Sequence, residues 1–390
     1  MTPATLLVLA AVAVGLPGLA VAAHLGLLAL ASLFYRDASH EGGDSLRFLV
    51  LVPAHNEELA IGGCLTAIEA DRLPRDRVLV VADRCTDATA VIARSFGAAV
   101  LERGEDDTPG RAAARQAGLE HARGLPWDAV VMLDADSIVD PGFFAACRRA
   151  LAVGAQAVQA RSESGHGRTL AAEAAVAAFT LQGVTIPRGR DRLGLSVRLR
   201  GTGMAIRRDA ALAHRFRAPA SEDLFVTLDL LLDGVRCRHV ERARLRSEAA
   251  ATWGAFGGQK VRYEAGRMAA ARAYVPRLLG RAIRRRDAAC LEAAWFLATP
   301  PFALAVLSLL TASALAVLAG RSTVAAIFAA SLVALALTLV CGLVQARAGL
   351  RTWLALLAAP WYLGWKAIVQ LRALTSVLRR DAYYGPTARV

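Results

Sequence analysis

Two aspartates one residue apart, Asp134 and Asp136, close the apolar run Ala129-Val130-Val131-Met132-Leu133. Paired carboxylates at the tip of a buried strand repel each other and are costly to keep charged without a cation. Where such a strand opens into a cleft, their hard oxygens suit a divalent metal and the phosphates it carries. Taken alone, the pair also reads as a turn or a helix cap, so its neighbours must decide. Val52-Pro53-Ala54-His55-Asn56-Glu57-Glu58 follows the first apolar run. Pro53 there is expected to stop a strand, and Asn56 and Glu57 to cap the next helix. Asp83 ends the second run with no structural duty legible in the sequence, and an aspartate at that place can accept the imide N–H of a uracil ring. Gly110 and Arg111 open a helix whose N-terminus favours anions. Glu222 and Asp223 begin a later helix, where the macrodipole alone would favour them. Gln259-Lys260-Val261-Arg262-Tyr263 comes last.

These residues need a scaffold, and the pattern between 44 and 290 supplies one. Apolar runs at Phe48–Val52, Val78–Ala82, Ala98–Leu101, Ala129–Leu133 and Ala155–Gln159 read as strands. Helix-like stretches at 57–70, 87–96 and 110–123 separate the first four. Strands alternating with helices predict an α/β fold with a mostly parallel sheet covered on both faces. Ser196–Arg200, Met204–Arg207 and Val235–Val240 could add strands, and 222–233 reads as a helix. Ligands in such sheets bind beyond the carboxyl ends of the strands, where the residues above fall.

The remainder is apolar enough to place the chain at a membrane. Hydrophobic residues make up 55% of the sequence and are concentrated in blocks. Residues 4–34 exceed the roughly 20 residues that cross a bilayer. No Lys or Arg precedes them, so the charged region of a signal peptide is missing, and Arg36 follows them. The positive-inside rule then puts the next segment in the cytosol. Blocks 293–319 and 323–345 read as an outward and a returning span. Block 353–371 is expected to be interfacial or re-entrant, because a full span would place Arg372, Arg379 and Arg380 outside. Residues 267–283 suit an amphipathic helix on the membrane surface. The expected organisation is a transmembrane helix at 1–36, a cytosolic domain at 44–266, an interface helix at 267–290, two transmembrane helices at 291–346 and a membrane-associated tail at 350–390.

The net charge of +13 does not indicate a nucleic-acid partner. Only Lys260 and Lys366 are lysines, no dense basic run with interleaved aromatics occurs, and arginine near the membrane blocks is explained by topology and anionic headgroups. The six scattered cysteines form no CxxC pair, so neither a zinc site nor a disulfide framework is suggested, which fits a reducing compartment.

In their order, the proline- and Asn-Glu-bearing first loop, the aspartate after the second strand, the Asp-x-Asp, the Glu-Asp pair and the Gln-x-x-Arg element resemble the membrane-embedded family 2 glycosyltransferases. That group includes cellulose, chitin, hyaluronan and poly-N-acetylglucosamine synthases and ceramide glucosyltransferases. The resemblance covers roughly residues 45–300 and extends to the pattern of membrane blocks. It implies a GT-A domain, the nucleotide-diphospho-sugar transferase fold, carrying transmembrane and interfacial helices. It implies that Pro53, His55, Glu57 and Asp83 line a uridine pocket and that Arg111 lies on the donor. Asp136 would hold Mg²⁺ or Mn²⁺ on the diphosphate, with Asp134 beside it as a second metal contact and a contact to the nucleotide-sugar. Asp223, with Glu222 next to it in the catalytic pair, would take the proton of the acceptor hydroxyl in a single inverting displacement. Gln259 and Arg262 match the Gln-x-x-Arg element on the nucleotide-sugar, where the Arg would meet the pyrophosphate. Arg200-Gly201-Thr202-Gly203-Met204 resembles the glycine-containing loop that borders the acceptor. Tyr263 stands on the nucleotide-sugar where the family usually has Trp and can still stack against a sugar or nucleotide, and Arg111 stands where related sequences often have Lys.

The expected activity is inverting transfer from a UDP-sugar to a growing β-linked polysaccharide at the cytosolic face of the bacterial inner membrane. The alternatives are a single addition to a lipid such as a hopanoid, ceramide or polyprenyl phosphate, and a non-catalytic membrane scaffold. Three or four membrane elements make a narrow pore, so a polymer synthase would call for a membrane partner subunit or a homo-oligomer.

Overall fold

A computed structural model of the chain describes residues 2–37, 45–165, 169–216, 221–247 and 253–378. An N-terminal helix, α1 (Pro3–Leu33), precedes an α/β domain. There follow β1 (Phe48–Ala54), α2 (Ile61–Asp71), β2 (Arg77–Asp83), α3 (Thr89–Ser95), β3 (Ala99–Arg103), α4 (Arg111–His121), β4 (Ala129–Met132), β5 (Ser137–Val139) and α5 (Phe143–Ala152). The domain continues with β6 (Ala157–Ser164), α6 (Leu170–Thr180), α7 (Ile186–Arg192), β7 (Met204–Arg207), α8 (Arg208–Ala213), α9 (Glu222–Leu232) and β8 (Cys237–Ser247). The strands form one mixed sheet in the order β3-β2-β1-β4-β7-β6-β8-β5. Strands β3, β2, β1 and β4 run parallel, and β7 joins β4 antiparallel.

Alternate residues of the parallel strands feed two cores, as a sheet buried on both faces requires. Phe48, Val50, Val52, Val78, Val80 and Val131 pack on one face with Ile61, Leu65 and Phe144. Leu49, Leu51, Leu79, Val81, Val130 and Met132 pack on the other with Leu119, Trp127, Val226 and Leu230. Gly118 lets α4 lie close to the second face, because a Cβ there would stand 2.4 Å from Leu51 Cδ1. The N-terminal end of α4 is thereby held over the tip of β4.

Pro53 does not stop β1. It lies inside the strand, buried, and pairs with Val81 of β2. It is tolerated because β4 pairs with β1 only as far as Leu51, so no neighbour on that side needs its missing N–H. Ser196–Arg200 is not a strand. It is extended backbone with other partners: Val197 donates to the carbonyl of Cys237, and Leu199 to Thr227 Oγ1 at 3.0 Å.

After the domain come α10 (Trp253–Arg285), α11 (Ala288–Ala298), α12 (Phe302–Leu318), α13 (Ser322–Gln345), α14 (Leu350–Leu354) and α15 (Ala359–Leu378). Among the described residues, three stretches are long and apolar enough to cross a membrane: Pro3–Leu33, Ser322–Gln345 and Leu350–Ala373. The block expected as one span at 293–319 is instead two helices, α11 and α12, bent by 67°. The break falls at Thr299-Pro300-Pro301, where two successive prolines cannot continue a helix. Helix α10 covers the region expected to lie on a membrane surface. Its apolar residues Ala270, Tyr274 and Leu278 pack against Leu224, Leu228 and Leu231 of α9 and against α11. Helix α15 is tied to α10 by Lys366 Nζ, 3.2 Å from Glu264 Oε1.

Candidate active site

The parallel strands β1, β2 and β4 deliver their carboxyl ends to one edge, and the candidate residues gather there. The first two loops are bound to each other. His55 Nδ1 donates to the carbonyl of Asp83 at 2.6 Å, Thr86 N donates to Asn56 Oδ1 at 2.8 Å, and Glu57 N donates to Thr89 Oγ1 at 2.8 Å. Among the described residues, Asn56, Arg84 and Ser221 are three of the five non-glycine residues with positive φ. All three sit on loops at this edge, and such backbone strain often marks functional loops.

Asp83 has a duty that the sequence did not disclose. Its Oδ1 accepts from Arg103 Nη1 at 2.7 Å and its Oδ2 from Gly110 N at 3.2 Å. Arg103 also donates to the carbonyl of Thr108 at 2.6 Å. One buried carboxylate thus fixes the loop that leads into α4.

Helix α4 presents Arg111 and Arg115, one turn apart, on a single face. Arg111 Nη1 donates to Asp134 Oδ2 at 3.2 Å. Arg115 is fully buried and bridges three groups: Glu222 Oε1 at 2.6 Å, Asp134 Oδ1 at 3.0 Å and the carbonyl of Gly201 at 3.0 Å. Both Asp134 oxygens are therefore engaged by arginine. Burial pushes the Glu222 carboxyl above its ordinary range, and the Arg115 charge opposes that shift. The Asp134 charge pushes the Arg111 guanidinium up, with smaller contributions from Glu222, Asp136 and Asp223.

Between the two aspartates, Ala135 is buried in the first core while Asp134 and Asp136 are half-buried. The turn is closed by Ser137 N, which donates to the Asp134 carbonyl at 3.0 Å, and by Asp134 N, which donates to Thr202 Oγ1 at 3.1 Å. The negative field of the pair reaches Cys64 beneath it. Burial first, then Asp136 and Asp134, push that thiol up to about 12. Among the described residues, no three His, Cys, Asp or Glu side chains stand together as a cation site. Asp134 and Asp136 are both hard oxygen donors, with the Asp134 oxygens already held by the two arginines. That donor set suits Mg²⁺ or Mn²⁺ carried by a diphosphate.

Asp223 lies in the first turn of α9. Its Oδ1 accepts from Leu224 N at 2.8 Å, and its Oδ2 is 4.0 Å from Arg198 Nη2. Tyr263 of α10 is close by: Arg198 hydrogen-bonds its hydroxyl, and the Arg198 guanidinium lies 4.8 Å from its ring centroid. Gly201 and Thr202 border the same space through Arg115 and Asp134. Met204 does not. It is fully buried on β7 in the second core. Gly203 is also packed inward, since a Cβ there would meet Leu245 Cδ2 at 2.1 Å. Gln259 and Arg262 fall on the backbone of α10, and their side chains lie outside the described residues.

The structure therefore joins Asp83, Arg111, Asp134, Glu222, Gly201 and Thr202 in one network, with Asp136, Asp223 and Tyr263 at its margin. Arg115, Arg103 and Arg198 were not singled out in the sequence, and Arg200 entered only as the first residue of the glycine-containing loop. Arg115 had a visible signal, its spacing of one helical turn from Arg111. Arg103 and Arg198 act across loops whose geometry no local pattern reveals.

A family model described as "Glycosyltransferase like family 2" matches residues 46–266. The 4,4'-diaponeurosporenoate glycosyltransferase of Staphylococcus aureus is 45% identical over 62 residues. That match spans 16% of this chain and 16% of the relative. Among solved structures, a mannosyltransferase from Pyrobaculum calidifontis in complex with GDP-Man and Mn²⁺ has a TM-score of 0.58 at 19% identity. The alignment covers 96% of this chain and 99% of that one, a likeness of fold that includes the helices outside the sheet. Glucosyl-3-phosphoglycerate synthase from Mycobacterium tuberculosis, with Mn²⁺, UDP and phosphoglyceric acid, gives 0.43 at 21% identity, over 57% of this chain and 81% of that one.

Proposed function

The chain belongs to glycosyltransferase family 2, and we propose from that premise that it moves one sugar from a UDP-sugar to a lipid-borne acceptor at the cytosolic face of a bacterial inner membrane. It is a glycosyltransferase built on a GT-A fold. The observation that supports the site is the reach of Arg115, which links the donor-side Asp134 to the acceptor-side Glu222 and Gly201. Separate clusters would not act on one sugar.

In this reading Asp83 and the His55-Asn56-Glu57 loop receive the uridine, and Gln259 and Arg262 meet the pyrophosphate. Arg111 and Arg115 hold Asp134 rigid, so that it contacts the donor sugar with its charge already balanced. Asp136 is the principal ligand for Mg²⁺ or Mn²⁺, with Asp134 beside it. When bound, the metal neutralises the leaving diphosphate. Asp223 sits near the acceptor and takes its proton as the acceptor oxygen attacks the anomeric carbon and UDP departs. One displacement inverts the configuration. Tyr263 and Arg198 wall the acceptor side.

A lipid acceptor is favoured over the expected polysaccharide by the packing of α1 with α12 and α13. Ala11, Ala305, Leu309, Ala312, Ala316 and Phe328 fill the space between them. A Cβ on Gly15 or Gly18 would stand 2.4 Å from Phe328 or Ser308. Helices this close leave no room for a sugar chain between them. The relative of 45% identity over 62 residues is named for a discrete acceptor, which also supports a single addition.

The test is product size. Purified protein in lipid, given Mn²⁺, a panel of UDP-sugars and extracted membrane lipids, is expected to yield one lipid-soluble adduct per acceptor. A ladder or high polymer would replace this reading with the synthase.

A further inference from the structure

The segment between α7 and β7 carries two guanidiniums into the acceptor side of the site. Arg198 is occupied by Tyr263, but its Nε is buried without a hydrogen-bond partner, and Asp223 stays 4.0 Å away. Arg200 is the stronger anomaly. Its guanidinium lies 4.0 Å from the ring centroid of Phe179 on α6, and its Nη1 is buried with no hydrogen-bond partner. Among the described residues no carboxylate forms an ion pair with it. Burial first, then repulsion by Arg198, bring its pKa down to about 10. Asp223 is the one carboxylate felt by both arginines that carries no closer cation. Glu264, which acts on Arg198 alone, is already paired with Lys366 and Arg267.

A buried guanidinium without its partner anion is expensive to maintain. Arginine is also the side chain best matched to planar or tetrahedral oxyanions. The wall of this place is unusual too. Residues Leu181–Thr185 form a π-helical turn between α6 and α7, a departure often found at functional sites. The turn brings Gly183 to Arg200, since a Cβ on that glycine would lie 3.1 Å from Nη1. Behind it, α6 packs against α13, α14 and α15, three helices of the apolar part of the chain. An anion bound here would have polar protein on one side and membrane-type helices on the other.

Resting on the proposed transfer to a lipid, we infer that Arg198 and Arg200 form an acceptor subsite for an anionic oxygen group, carboxylate or phosphate, borne on a hydrocarbon tail. A neutral head would leave the Arg200 Nη1 buried and unanswered. The anion is an anchor and not the nucleophile: a separate hydroxyl of the acceptor gives its proton to Asp223, and the tail leaves toward α6 and α15, where Trp361, Ile368 and Leu371 are exposed.

The experiment is equilibrium binding to the full-length protein in neutral detergent with UDP and Mn²⁺ present, so it does not depend on turnover. The probes are farnesyl phosphate, oleate and farnesol. Farnesyl phosphate or oleate is expected to bind at least about 10-fold more tightly than farnesol, in line with a charge-assisted pair, and the better of the two identifies the anion. Arg200→Met, which keeps the packing against Phe179, is expected to remove that preference, as is Arg198→Met. Arg284→Met, on the exposed side of α10, should leave it intact. Equal binding of farnesol, or an unchanged preference in Arg200→Met, would overturn the subsite. Neither result touches the transfer itself, which fails only if no UDP-sugar is consumed.

Discussion

Asp223→Asn is expected to lower sugar transfer by about 10²–10⁴-fold, the usual worth of a positioned general base. UDP binding should be unchanged, because the proposed reading puts Asp223, 4.0 Å from Arg198, on the acceptor and gives the uridine to the loops held by Asp83 and Asn56. The amide can still accept from Leu224 N, so the start of α9 should be preserved. The two readouts are turnover and UDP titration. Near-normal turnover would remove Asp223 as the base, and lost UDP binding would show that the variant disturbs the whole site.

Arg115→Met is the second large effect and acts on both fold and function. The side chain is fully buried, and its loss leaves Asp134 and Glu222 without their shared cation. Removing one partner of a buried ion pair costs roughly 3–5 kcal/mol, so a large fall in thermal stability is expected alongside lost transfer. The effect should depend on pH. Burial already raises the Glu222 carboxyl, and without Arg115 it rises further. A carboxyl whose folded-state pKa exceeds its unfolded value favours folding in acid. The variant should therefore lose stability as pH climbs from the ordinary glutamate range toward the raised value. Thermal melts at several pH values check this, and a pH-independent deficit would contradict it. Arg115→Lys keeps the charge but not the three-way reach, so it should recover stability more than activity.

How much of this was legible in the sequence depended on the range of each interaction. The apolar runs 48–52, 78–82 and 129–133 became β1, β2 and β4 because each is short, β-branched and buried on both faces, a pattern written locally. Strand β8 runs from Cys237 to Ser247, well beyond the expected Val235–Val240. Its second half, Glu241-Arg242-Ala243-Arg244-Leu245-Arg246, alternates polar and apolar residues that only pairing with β6 and β5 makes into a strand. Ser196–Arg200 failed in the opposite sense. Its alternation resembles a strand, but its backbone bonds go to Cys237 and Thr227 and not to a ladder. The chemistry-bearing residues at strand tips were readable because parallel sheets place function there. The arginines were not, because Arg103, Arg115 and Arg198 draw their meaning from partners far away in the chain. Met204 was misplaced for a related reason: a loop motif gives the order of residues but not which side of the strand each will face.

In the proposed reaction Asp136 and its neighbours hold a metal-bound diphosphate for sugar transfer. The most direct measurement is UDP release by the full-length protein in lipid with a UDP-sugar panel, with Mn²⁺, with chelator, and with Asp136→Asn. Release is expected with at least one donor in Mn²⁺, with near-complete loss both on chelation and in the variant. Equal release with and without metal, or an Asp136→Asn protein as active as the parent, would contradict it.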